Sequence, residues 1–151
     1  MGETGKLPPD AHANRLAWEE LGPVAPLTDD VGIAGERADL VVDAMFGTGL
    51  TRPVEGFGAL FRDIAQGRAL GCPRVVAVDL PSGLCSDSGR VLRAADTDPA
   101  EATIAADLTV SFHRPKLGHY LSEGPAFCGR LIAADIGLRP EATAGIVRAG
   151  L

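Results

Sequence analysis

The sequence is poor in cysteine, in aromatic residues and in basic residues. Its 151 residues include three cysteines, and their odd number and wide spacing exclude a disulfide framework or a Cys-x-x-Cys zinc site. Lys and Arg total 14 against 20 Asp and Glu, a net charge of -6, which argues against nucleic acid as the main partner. No apolar run reaches the roughly 18 residues that span a bilayer, and the N-terminus has no apolar leader. We therefore expect a cytoplasmic protein with neither a membrane nor a nucleic-acid partner.

The sequence does contain many turn residues, 19 Gly and 11 Pro, between short apolar runs. Such runs at 39–44, 74–79, 107–112 and 130–135 predict buried parallel strands, and a weaker edge strand is predicted at 23–27. Helices are predicted at 10–21, 56–70, 99–106 and 140–149, with Trp18 in the core. The helix at 56–70 has an apolar face formed by Phe57, Leu60, Phe61 and Ile64, and Asp98 is the expected cap of the helix at 99–106. The alternation of strands and helices predicts an α/β fold with a mostly parallel sheet.

A glycine-rich loop follows the first long strand. Its glycines can bring backbone N–H groups close to an oxyanion or phosphate beside a helix start, although a plain strand-to-helix turn would use the same residues. It matches neither a Walker A loop nor a dinucleotide fingerprint. The loop comprises Gly47, Thr48, Gly49, Leu50, Thr51, Arg52 and Pro53.

Two carboxylates, Asp43 and Asp79, end neighbouring predicted strands, and Ser82 follows the second of them. Because ligands of open α/β sheets bind at the carboxyl ends of strands, we expect an oxygen-rich pocket suited to a hard cation or to acid–base chemistry. Alternatively, both carboxylates only cap the turns that follow them.

A Pro- and Gly-rich loop follows the third predicted strand. In this loop Lys116 and Arg114 could contact a phosphate. His113 and His119 lack metal-ligand spacing, and we interpret them as residues of a solvated loop.

Four segments together carry a family resemblance: DLVVDAMFGTGLTRP from residue 39, VAVDLPSGL from 76, ADLTVSFHRPKLG from 106 and CGRLIAADIG from 128. They resemble, in order, the NAD(P)HX epimerase family, the YjeF N-terminal domain. The resemblance implies a Rossmann-like three-layer αβα sandwich and an isomerase that interconverts the R and S epimers of hydrated NADH and NADPH. The alternative is a non-catalytic nucleotide-binding or interaction remnant of the family, or a fragment of a bifunctional epimerase/dehydratase.

The resemblance also implies roles for individual residues. Asp79 would be the acid–base residue, and Asp43 and Ser82 would bind a potassium ion. The glycine-rich loop from Gly47 to Pro53 would contact NADHX or NADPHX, together with Asp79 and Lys116.

The sequence departs from the family pattern at its N-terminal side, because it contains no NNGGDG-type motif. We therefore expect residues 1–138 to form the C-terminal two thirds of the domain, with a sheet that is incomplete at its N-terminal side. Residues 139–151 would be a tail or the start of a linker to a dehydratase domain. The expected macromolecular partners are a second copy in a homodimer or a chain that supplies the N-terminal part.

Overall fold

Four parallel strands form one sheet and follow each other in space in the order of the sequence. The computed structural model describes residues 7–27 and 38–138. The strands are β1 (Leu40–Asp43), β2 (Arg74–Val78), β3 (Leu108–Phe112) and β4 (Arg130–Ala134). Each strand pairs in parallel with the next, which confirms the four predicted strands and the α/β fold with a parallel sheet.

Among the described residues, one helix precedes β1, and three helices and one helical turn lie between the strands that follow. They are α1 (Pro9–Glu19), α2 (Gly58–Ala69), α3 (Pro99–Ala102), a 3-10 helix (Leu117–His119) and α4 (Gly124–Cys128). Asp98 caps α3 as the sequence suggests, because its side chain accepts a hydrogen bond from the Ala100 N–H at 2.9 Å. Helix α3 is shorter than predicted because Thr103 has an extended backbone. The 3-10 helix and α4 were not predicted, since each is too short to show helical periodicity.

The core lies between helix α2 and one face of the sheet. Leu60, Phe61 and Ile64 of α2 pack in one buried cluster with Val75 and Ala77 of β2. Helical spacing places the first three on one side of α2, and the alternation of a strand places the last two on one side of the sheet. This packing confirms the apolar face that the sequence predicts for α2.

The opposite face of the sheet is apolar and partly open. Leu40 and Val42 of β1 are 55% and 58% exposed, and Phe112 and Ile132 are each 40% exposed. The strand register places all four on the face that α2 does not cover. The described residues therefore bury one face of the sheet much better than the other.

Three expectations from the sequence need comment. Residues 23–27 form no strand, since Pro23 and Pro26 lack the N–H groups that pairing requires. Trp18 is 59% exposed, because α1 buries none of its residues, so its assignment to the core was wrong. The helix predicted at 140–149 lies outside the described residues. Within the described residues, no helix has the length and apolar content to cross a bilayer.

Candidate functional site

The carboxyl edge of the sheet brings the two predicted carboxylates to neighbouring positions. Asp43 is the last residue of β1, and its register partner on β2 is Ala77, two residues before Asp79. Parallel pairing therefore places the residues that follow β1 and β2 side by side. Each carboxylate forms its own cluster of contacts, Asp43 with Ser82 and Asp79 with Lys116.

The first cluster is a buried carboxylate held by the turn after β2. Asp43 is only 2% exposed. Its Oδ2 accepts the Ser82 N–H at 2.7 Å, and its Oδ1 accepts the Ser82 hydroxyl at 2.5 Å and the Met45 N–H at 3.5 Å. Burial raises the pKa of Asp43, and the hydrogen bonds from Ser82 and Met45 partly oppose this rise. Within the described part of the chain, no Lys or Arg neutralises this carboxylate.

The donor chemistry of this cluster fits part of a site for a hard cation. Carboxylate and hydroxyl oxygens are the ligands that such cations prefer, and a buried carboxylate without a cationic partner favours a bound cation. The two side chains bond to each other, however, and hard cations take about six or more oxygen ligands. No group of three or more acidic, His or Cys side chains with metal-binding geometry occurs among the described residues. Asp43 and Ser82 therefore supply only part of a coordination shell.

The second cluster pairs Asp79 with Lys116. The Lys116 ammonium group contacts Asp79 Oδ1 directly, and the side chains of the pair are only 22% and 16% exposed for Lys116 and Asp79 respectively. The same oxygen accepts the Ser111 hydroxyl at 3.2 Å and the Phe112 N–H at 3.4 Å. Among the described residues, every recorded hydrogen bond to this carboxylate reaches Oδ1. The cluster therefore holds one carboxylate oxygen and leaves Oδ2 available.

The free oxygen of Asp79 faces the glycine-rich loop. A Cβ added to Gly47 would lie 3.6 Å from Asp79 Oδ2, so this oxygen lies within the reach of one methyl group from the start of the loop. The loop turns tightly, with the Leu50 N–H donating to the Gly47 carbonyl at 3.2 Å. Helix α2 begins at Gly58, so residues 54–57 separate the end of the loop from the start of the helix.

Two open cavities adjoin this loop. The smaller, of about 340 Å³, is lined by Gly47, Gly49, Leu50, Thr51 and Arg52 with Met45 and Phe46. The larger, of about 870 Å³, is lined by Leu50, Arg52 and Pro53 with Ala44, Met45, Phe46, Val54, Glu55 and Phe57. The structure thus places most of the predicted loop on cavity surfaces. The apolar residues beside it were missed, because the sequence gives no sign that Met45, Phe46 or Val54 faces a cavity.

His119 is the site residue whose position the sequence misjudged most. It is 3% exposed, not solvated as the sequence suggested. Its ring lies between the backbones of the two paired residues, with Nδ1 2.8 Å from the Lys116 N–H and Nε2 2.8 Å from the Asp79 carbonyl oxygen. Arg114 is exposed, so of the two predicted phosphate-contacting cations only Lys116 lies in the cluster.

A parallel sheet with flanking helices, and with a glycine-rich loop and two cavities at its carboxyl edge, defines an α/β domain of the Rossmann-like class. Comparison with known proteins narrows this class. Residues 3–118 match the family model described as YjeF-related protein N-terminus. The chain belongs to this family.

Several curated relatives have names that indicate an activity. The NAD(P)H-hydrate epimerase of Rhodobacter capsulatus is 43% identical over 118 residues, which cover 78% of this chain and 50% of the relative. That of Roseobacter litoralis is 38% identical, covering 88% of this chain and 60% of the relative. The bifunctional NAD(P)H-hydrate repair enzyme Nnr of Vibrio cholerae is 33% identical, covering 91% of this chain and 25% of the relative. The chain spans about half the length of the curated epimerases that it matches.

Proposed function

We propose that this chain carries the acid–base site of an NAD(P)H-hydrate epimerase, an isomerase that interconverts the R and S forms of hydrated NADH and NADPH. The names of the relatives support the substrate. The observation that carries the chemistry is the arrangement of Asp79, whose Oδ1 is held by Lys116 and Ser111 while Oδ2 faces the loop at Gly47. One oxygen is fixed, and the other can reach a ligand.

The reaction needs a proton donor and acceptor. The carbon that inverts bears a hydroxyl group and is bonded to the ring nitrogen. The hydroxyl group takes a proton from the Asp79–Lys116 pair and leaves as water while the nitrogen lone pair forms a C=N⁺ bond. Water then adds to the other face, and the pair takes back one proton. Protons and charge balance over the cycle, and no redox step occurs.

The glycine-rich loop would bind the ligand beside this pair. Gly47 places the loop backbone near Asp79 Oδ2, and Arg52 lines both adjoining cavities. A guanidinium group at this position suits the anionic part of a dinucleotide. We propose the segment from Gly47 to Pro53 as the contact surface for NADHX or NADPHX, with Lys116 holding the catalytic carboxylate.

We further propose that Asp43 and Ser82 provide ligands for a potassium ion, whose charge would neutralise the buried carboxylate. The support is that Asp43 is 2% exposed and has no cationic partner among the described residues. The test is thermal unfolding of the wild type and of Asp43→Asn in potassium chloride and in tetramethylammonium chloride. Stabilisation by potassium that disappears in Asp43→Asn would support the site, whereas equal unfolding temperatures of the wild type in both salts would refute it.

The activity is tested by following R to S conversion of NADPHX with this 151-residue chain in potassium buffer, by chromatography or NMR. Asp79→Asn should lower the enzymatic rate by about 10²–10⁴-fold, the usual contribution of general acid–base catalysis. Asp96→Asn is the matched control, because it makes the same substitution at an exposed position. An Asp79→Asn variant as active as the control would refute the role, and a wild type no faster than the spontaneous reaction would refute the activity of this chain.

A second candidate is a non-catalytic nucleotide-binding module. It is favoured by one observation, that among the described residues Asp43 and Ser82 supply only part of a coordination shell for a cation. Binding of NADPHX without acceleration would support this candidate. We also propose a cytoplasmic location and three kinds of partner: a second copy in a homodimer, a chain that supplies the remaining part of the domain, and a linked dehydratase domain. The bifunctional repair enzymes among the relatives support the linked domain.

A further inference from the structure

His119 lies in the interior beside the candidate site because the preceding residue, Gly118, packs closely against another backbone segment. Gly118 packs against the turn after β2 so closely that an added Cβ would lie 2.2 Å from the Cys85 carbonyl oxygen. The Gly118 N–H also donates to the Ser86 carbonyl at 2.6 Å. This close approach, which only glycine allows, carries the next residue into the interior, where it is 3% exposed.

The two hydrogen bonds of the ring determine which nitrogen carries the proton. The Lys116 backbone N–H can only donate, so His119 Nδ1 accepts and is unprotonated. The neutral ring therefore carries its proton on Nε2, which donates to the Asp79 carbonyl oxygen. Both polar atoms of this buried side chain are satisfied by backbone groups. The side chain of His119 itself makes no recorded bond to the Asp79 carboxylate or the Lys116 ammonium group.

The two residues that the ring joins through their backbones are the two whose side chains form the ion pair. Asp79 and Lys116 are thus connected twice, once by the contact between ammonium and carboxylate and once through the imidazole. Asp79 also has a φ of 71°, in the left-handed region that residues other than glycine rarely adopt. Such a conformation persists only where surrounding contacts hold it, and the bond from His119 Nε2 is one of those contacts.

We propose that His119 is the positioning residue of the acid–base pair: its Nε2-protonated ring fixes the Asp79 backbone relative to that of Lys116, so that the carboxylate keeps one oxygen on the ammonium group and the other toward the ligand. This role rests on the proposed epimerase function. It assigns no proton transfer to the imidazole.

The kinetic test compares His119→Phe, which keeps a planar ring but loses both bonds, with His12→Phe, the same substitution at an exposed position of α1. A displacement of about 1 Å at a reacting group can cost about 10²-fold in rate. We therefore expect kcat per folded molecule to fall by about 10²-fold in His119→Phe, with KM within about threefold. His119→Gln, which can still donate to the Asp79 carbonyl, should recover part of kcat. An unchanged kcat in His119→Phe, or no difference between the Phe and Gln variants, would overturn the proposal.

A second measurement does not depend on activity. Long-range ¹H–¹⁵N spectra of the wild type should show the His119 ring with Nε2 protonated and Nδ1 as acceptor. Pairing with Asp79 should slow the exchange of the Lys116 ammonium protons with water. This protection should be lost in His119→Phe, partly kept in His119→Gln and fully kept in the His12 variant. The opposite tautomer, or unchanged protection, would overturn the proposal even where the wild type shows no epimerase activity, and inactivity alone would refute only the proposed function.

Discussion

The buried contact between Asp43 and Ser82 permits a quantitative test of the candidate site. Ser82→Ala removes one oxygen and changes little else. The Asp43 carboxylate then loses one of its three recorded donors, and the Phe46 N–H loses the acceptor that it meets at 3.1 Å. A hydrogen bond to a charged group contributes about 1.5–3 kcal/mol, and an unsatisfied, partly buried N–H adds up to about 1 kcal/mol. We expect the free energy of unfolding to fall by about 2–4 kcal/mol.

The assay is urea unfolding followed by circular dichroism, in a buffer without potassium so that loss of a bound ion does not contribute. For a chain of this length the expected change corresponds to a lowering of Tm by about 5–15 °C, with an unchanged m value. Ser88→Ala is the matched control, because its hydroxyl is exposed and bonds to the Arg90 N–H at 3.3 Å and to the Cys85 thiol at the surface. Its effect should stay below about 0.5 kcal/mol. A Ser82→Ala variant as stable as this control would refute the claim that the Ser82 hydroxyl stabilises the buried side chain of Asp43.

Three further predictions concern stability and reactivity. Although burial alone would raise it, the ion pair with Arg68 holds the pKa of Asp107 below its ordinary value of 3.8. Its stabilising contribution is therefore present above pH 3.8 and lost as the pH falls through the lowered pKa, so Asp107→Asn should flatten the acid-unfolding curve. Gly118→Ala should lower the free energy of unfolding in urea by about 1–3 kcal/mol, because the added Cβ would meet a backbone carbonyl oxygen. Gly22→Ala, which adds its Cβ in open space, should lower it by less than about 0.5 kcal/mol. Equal effects of the two substitutions would contradict the close packing at Gly118. Burial raises the pKa of Cys128 to about 11, so native protein should be alkylated at the other two thiols first, as mass spectrometry would show.

The sequence predicts the framework of the domain because that framework depends on short-range patterns. Apolar runs identified all four strands, and the spacing of Phe61 and Ile64 identified the buried side of α2. The sequence-based prediction was wrong for residues 23–27, where prolines prevent strand pairing. It was also wrong for Trp18, since an apolar residue on a helix is buried only if another element packs on it. Short elements such as α4 carry too few residues for a period to be visible.

By itself the sequence also determined which residue types end the strands, and thus that Asp43, Asp79 and the glycine-rich loop would meet at one edge of the sheet. Only the tertiary structure decided which contacts each of these residues makes. Ser82 bonds to Asp43, Lys116 pairs with one oxygen of Asp79, and His119 joins the backbones of that pair. These contacts join residues up to 40 positions apart, and whether a histidine in a loop is solvated or buried depends on how closely one backbone packs against another. That packing is a property of the folded chain, which no local pattern of residues records.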